Sequence, residues 1–183
     1  MCPPSPWLRR GDPQPQRDEC PHGGGEPRHR PRRGAGGTTL TAALLAGNRL
    51  ALAHVGDSRA YLLRDGALRP LTRDHTVVQV LVDAGELSPA EAAARPDRAL
   101  LLKALDGAAV PPEPQLALHE LRPGDRLLLC TDGLSAVVPE QELAPALTRG
   151  ADPAATARDL VARARDRGAP DNVACVVADA VDQ

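Results

Sequence analysis

Leu127-Leu128-Leu129-Cys130-Thr131-Asp132-Gly133-Leu134 is the stretch on which the fold turns, because an apolar run ends on a carboxylate followed at once by glycine. A short apolar run bounded by turn residues reads as a buried strand. Such a strand delivers Asp132 straight into a glycine turn, which is how a hard-metal ligand is placed. Asp171, in Gly168-Ala169-Pro170-Asp171-Asn172-Val173, stands in the same way at the mouth of the last apolar run, Val173 to Val177. Two carboxylates at strand mouths suggest one shared metal site. A third, Asp57, lies in His54-Val55-Gly56-Asp57-Ser58-Arg59-Ala60-Tyr61, where another apolar run breaks at glycine.

Working outward, residues 38–45 and 49–55 read as strands joined by the hairpin signal Gly47-Asn48, and two more strands flank Asp65-Gly66. Residues 74–84 change period. Val77, Val78, Leu81 and Val82 share a helical face, Gly85 closes it, and Asp74 reads as its cap followed by an exposed His75. Ser88-Pro89-Ala90-Glu91 is a capping box opening a second helix. Strands are expected over 100–105, 116–121 and 126–131, helices over 139–148 and 152–167, and a closing strand over 173–178. Grouped strands followed by grouped helices predict an α+β fold in which two antiparallel sheets pack face to face with helices on the outside.

The 183 residues are 42% hydrophobic, which suits one domain with its own core. Residues 1–36 hold eight Pro, six Gly and seven Arg with almost no aliphatic residues, so they bury too little to offset chain ordering and read as a disordered tail. Pro, Arg, Gly and His together are also what GC-rich DNA yields when translated out of frame. The domain is assigned to 37–183, which carries 15 basic and 20 acidic side chains, a poor balance for nucleic acid. Cys130 and Cys175 fall in predicted strands and read as small core residues of a cytoplasmic protein. Cys2, Cys20, His22 and His29 match no common zinc spacing. No apolar run reaches the roughly 18 residues of a membrane span.

Hard divalent cations prefer carboxylate and water oxygens, so Asp132, Asp171 and Asp57 are of the right type. Gly133 would let backbone approach the metal, and the Asn172 side chain would hold the Asp171 loop. Any single Asp-Gly is more often a turn than a ligand, and Asp65-Gly66 and Asp106-Gly107 are read so. The order of the motifs says more. Gly36-Gly37-Thr38-Thr39-Leu40, Val55-Gly56-Asp57-Ser58-Arg59-Ala60-Tyr61, Leu71-Thr72-Arg73-Asp74-His75-Thr76, Leu128-Leu129-Cys130-Thr131-Asp132-Gly133-Leu134 and Pro170-Asp171-Asn172-Val173 together resemble, in type, order and spacing, the PPM (type 2C) metal-dependent serine/threonine phosphatases. The bacterial branch that opposes Ser/Thr kinases looks nearest.

The resemblance implies a four-layer sandwich of two sheets and outer helices. It implies hydrolysis of phosphomonoesters with Mn²⁺ or Mg²⁺, two ions binding the phosphate and a bridging water whose lowered pKa yields the attacking hydroxide. Asp132 and Asp171 match ligands of that centre. Asp57, with Asp132, matches the pair for a third, weaker metal, and Gly56, Ser58, Gly133 and Asn172 support them. Residues 76–102 correspond to a flap beside the site, marked by Thr76, Gln79 and Asp83, where substrate is selected. A phosphorylated protein, the target of a Ser/Thr kinase, is the implied substrate of a monomer with neither nucleic acid nor membrane as partner. The family's Asp-Gly-x-Gly-Gly element, whose Asp bridges both metals, its phosphate-holding Arg and its proposed general-acid His have no matching positions, so the likeness is to a domain lacking its N-terminal part. A catalytically silent, phosphoprotein-binding domain is therefore the alternative reading. A nucleic-acid role for the Arg-rich tail rests on charge alone.

Overall fold

The computed structural model describes residues 36–149 and 152–182. The expectations for the tail before residue 36, disorder and an out-of-frame origin, lie outside the described residues. The strands are β1 (Leu40–Ala46), β2 (Arg49–Val55), β3 (Arg59–Arg64), β4 (Ala67–Pro70), β5 (Gln115–Glu120), β6 (Arg126–Cys130) and β7 (Cys175–Asp179). The helices are α1 (Val77–Asp83), α2 (Pro89–Ala94), α3 (Asp132–Ser135), α4 (Glu140–Arg149) and α5 (Pro153–Asp166). All pairing is antiparallel, in one sheet ordered β1-β2-β5 and another ordered β4-β3-β6-β7. The α+β reading holds.

Turn chemistry sets the registers. Asp65 and Gly66 adopt φ of 51° and 78°, the doubly left-handed turn that matches the twist of a hairpin, and Arg64 faces Ala67 across it. In the β1–β2 turn Gly47 alone is left-handed, with φ 58°, and Ala46 faces Arg49 across it.

Two apolar layers follow. Leu50 and Leu52 of β2 meet Ala60 and Leu62 of β3 and Leu127 of β6 between the sheets. On the other face of the four-stranded sheet, Tyr61, Leu63, Leu128 and Cys130 pack on Leu134 of α3, Leu143 and Leu147 of α4, and Leu160 and Ala164 of α5. The β3 and β6 runs are thus continuously apolar because both of their faces are covered. The outer face of the three-stranded sheet is open: Leu44, Leu116 and Leu118 are 70%, 72% and 74% exposed.

The structure departs from expectation at four elements. Residues 100–105 are not a strand but make single bridges, Leu101 with Thr76 and Leu105 with Thr38. With Leu100 and Leu102 more than half exposed, the apolar run has no sheet face to enter. The first helix is capped by Thr76, whose side chain accepts from Gln79 N–H, because Asp74 is bound elsewhere. The closing strand begins at Cys175, since residues 172–174 are turned aside by Thr131. Asp132-Gly133 opens the short helix α3 rather than a plain turn.

Candidate metal centre

β6 hands its chain to Thr131, an extended residue that precedes α3, and Asp132 is the first residue of that helix. Asp132 Oδ1 accepts from the Gly133 N–H at 2.9 Å. Thr131 then fastens the second loop: its hydroxyl donates to the Asn172 carbonyl at 3.1 Å and accepts from the Ala174 N–H at 3.1 Å. Asp171 Oδ1 accepts from the Asn172 N–H at 2.6 Å. The expected role of the Asn172 side chain is therefore taken by its backbone. The expected reason for Gly133 changes too, because a Cβ there would lie 2.4 Å from the Asn172 carbonyl oxygen and 3.1 Å from that of Asp171. The glycine admits the neighbouring loop.

Asp57 follows β2 on a loop held from three sides. Gly56 has φ 108°, and a Cβ on it would sit 2.3 Å from Thr39 Cγ2. Ser58 shares a 2.8 Å hydroxyl contact with Thr39, and its carbonyl accepts from the Thr41 hydroxyl at 2.9 Å. His75 Nδ1 accepts from the Gly56 N–H at 3.1 Å. Asp74, expected as a helix cap, instead binds Arg59 through Nε and Nη2 at 2.9 and 2.7 Å, and Arg59 Nη1 reaches the Tyr61 hydroxyl at 3.2 Å. His75, expected to be exposed, is partly buried with its ring centroid 4.8 Å from that of the fully buried His54.

The electrostatics follow from this packing. The Asp57 carboxyl is pushed up to about 6, first by burial, then by the Asp132 and Asp74 carboxylates; its own backbone N–H and Arg59 pull less strongly the other way. Crowded, partly desolvated carboxylates, compensated only weakly by an Arg59 that is itself paired with Asp74, are what a hard divalent ion relieves, and the donors are oxygens of the kind such ions take. Asp57 and Asp132 fit it. The second oxygens of Asp132 and Asp171 accept no hydrogen bond among the described residues, which leaves them available as ligands. Among the described residues no three His, Cys, Asp or Glu side chains form a metal-holding group by themselves. Waters or substrate oxygens would have to complete any coordination shell here, as magnesium commonly requires.

The flap residues are placed as follows. Thr76 is buried and caps α1. Gln79 Nε2 donates to Asp83 Oδ1 at 2.7 Å, and Asp83 also pairs with Arg73. Thr39, Thr41, Asp74 and His75 shape the Asp57 loop and were not recognised as doing so, although they lie in or beside the quoted motifs. Their partners are 15 to 19 residues away, beyond the reach of local spacing.

The chain resembles known proteins along most of its length. A family model described as Protein phosphatase 2C matches residues 24–80. The serine/threonine protein phosphatase PstP of Mycobacterium tuberculosis is 53% identical over 146 residues, covering 80% of this chain and 28% of that protein. The serine/threonine phosphatase stp of Listeria welshimeri is 39% identical over 137 residues, covering 75% of this chain and 54% of that one. A crystal structure of the PstP catalytic domain in complex with two manganese ions matches with a TM-score of 0.72 at 51% identity, covering 80% of this chain and 60% of that chain. The chain thus spans from about a quarter to just over half of these curated relatives.

Proposed function

This chain belongs to the protein phosphatase 2C (PPM) family, and from that premise we propose that it is a metal-dependent phosphatase hydrolysing phosphoserine and phosphothreonine monoesters in proteins. The observation that carries the reading is geometric: the Thr131 hydroxyl fastens the Asp171 loop beside Asp132, and the half-buried Asp57 carboxyl is crowded by that same Asp132. Asp132, Asp171 and Asp57 are the residues that would hold manganese or magnesium, as two ions or three. Bound there, the metal would supply positive charge for the phosphate and lower the pKa of water.

The chain's own residues do the positioning. Thr131 ties the Asp171 loop to the end of β6, which fastens that loop beside Asp132. Asp74 neutralises Arg59 and leaves Asp57 without a strong ion-pair partner, which keeps its carboxylate open to a cation. Residues 76–102 hang beside this loop and are the segment we assign to substrate selection. The physiological substrate is a phosphoprotein made by a Ser/Thr kinase, and the setting is a cytoplasmic monomer. Among the described residues no helix is long and apolar enough to cross a membrane.

Hydrolysis of p-nitrophenyl phosphate by the purified chain, with and without Mn²⁺ and with Asp132→Ala as control, tests the reading. Metal-dependent turnover that disappears in the variant is expected. A folded chain that binds a phosphopeptide but turns over nothing would replace this reading with the silent, phosphoprotein-binding one.

A further inference from the structure

His75 is engaged through both backbone groups and its ring. Its N–H donates to the Gly56 carbonyl at 2.8 Å, and its carbonyl accepts from the Leu102 N–H at 2.8 Å. Its Nδ1 accepts from the Gly56 N–H at 3.1 Å, which places the proton of the neutral ring on Nε2. One residue therefore takes both backbone groups of Gly56, the residue before Asp57, and also closes the neck of the segment 76–102. Beside it the Arg73–Asp83 ion pair ties α1 back to the residues before the neck, and the remaining links are few. Val77 N–H donates to the Leu100 carbonyl at 3.1 Å, and Thr76 and Leu101 form a single bridge. Among the described residues no side chain of 76–102 hydrogen-bonds residues 56–58.

Gly56 cannot slide to compensate. Its φ of 108° is open to few residues other than glycine, and the Thr39 side chain fills the space on its Cβ side. Ser58 is fastened to Thr39 and Thr41 on the same loop. The Asp57 loop is thus rigid toward β1 and meets the 76–102 neck through His75. The tilted packing of the His75 ring on the buried His54 ring, with an interplanar angle of 31°, limits the positions that Nδ1 can take.

We propose that His75 is a positioning residue that sets the Asp57 loop and the neck of segment 76–102 in one register, so that a shift at Asp57 is carried to α1 and α2. Its functional meaning rests on the reading of Asp57 as a metal ligand: occupancy of that carboxylate would then bias the segment assigned to substrate selection.

The test is backbone-amide hydrogen exchange of the full chain, followed residue by residue by NMR, in wild type and in His75→Ala, His75→Asn and His75→Gln. Asn places an acceptor oxygen at the position of Nδ1, whereas Gln places it one bond further out. In His75→Ala and His75→Gln, exchange at Gly56, Val77 and Leu102 should rise together by about tenfold or more, with α4 and α5 unchanged. His75→Asn should restore wild-type protection at all three. If His75→Ala fails to fold, the comparison of Asn with Gln decides alone. Equal behaviour of Asn and Gln, or loosening confined to one of the two segments, would overturn the proposal. Broadening of the Gly56 amide by Mn²⁺ in wild type is a separate readout: its absence would count against the phosphatase reading and leave the exchange result standing.

Discussion

At the scale of single residues, the sign of each charge effect can be worked out. The folded-state pKa of Asp57 is raised, so its contribution to stability is fully present below about 3.8 and is lost as pH rises through about 6. Because the group is only half buried, the cost of ionising it is discounted to about 1–2 kcal/mol. Asp57→Asn should therefore stabilise the metal-free chain by that amount at pH 7 and leave it unchanged near pH 3, as read from urea unfolding; destabilisation at pH 7 would show that the carboxylate is not crowded. Gly133→Ala should cost about 1–3 kcal/mol by driving a methyl into the Asn172 carbonyl, and should weaken Mn²⁺ binding by displacing the Asp171 loop. Calorimetry on that variant checks both. Asp57, Asp132 and Asp171 are legible as candidates because each stands at one end of an apolar run, a local pattern. The functions of Gly133, Asp74 and His75 are not, since each is defined by an atom supplied from another segment.

At the scale of elements, the caps of α2 and α5 are as their sequences imply, whereas α1 is capped by Thr76 in place of Asp74. Ser88 and Glu91 form the reciprocal capping box that their spacing implies, and Asp152 caps α5. Thr76→Ala should cost about 1 kcal/mol and fray α1 selectively, seen as faster amide exchange at Gln79 and Val80 with α5 unaffected. The turn at 122–125 has Gly124 at φ 89°, and its Asp125 is almost fully buried, taking Arg64 through Nε and Nη2 at 2.7 and 2.6 Å. Arg64 holds the Asp125 carboxyl below the usual carboxylate range, so this stability is present above about pH 4 and lost as pH falls. Asp125→Ala should cost about 2–3 kcal/mol at pH 7 and progressively less in acid, measured by chemical denaturation across pH. The strand expected over 100–105 failed for a physical reason: apolar composition favours a strand only where a sheet edge and a covered face exist to receive it, and here only isolated bridges form.

At the scale of the whole molecule, the described residues cover the four-stranded sheet on both faces and the three-stranded sheet on one. Leu62→Ala, between the sheets, should cost about 2–5 kcal/mol, whereas Leu118→Lys, on the open face, should change stability by less than about 0.5 kcal/mol; thermal melts of the two variants decide. The sequence by itself determined most of the element order, the two hairpin turns, the caps of α2 and α5, the α+β class and the three candidate carboxylates, because all of these are written in periodicity, turn residues and spacing over a few positions. Only the tertiary structure decided that Thr131 binds the Asp171 loop to Asp132, that Asp74 serves Arg59 rather than a helix, and that His75 joins Gly56 to residue 102. Those are contacts between segments distant along the chain, and their identity depends on how two sheets pack, which no local pattern encodes.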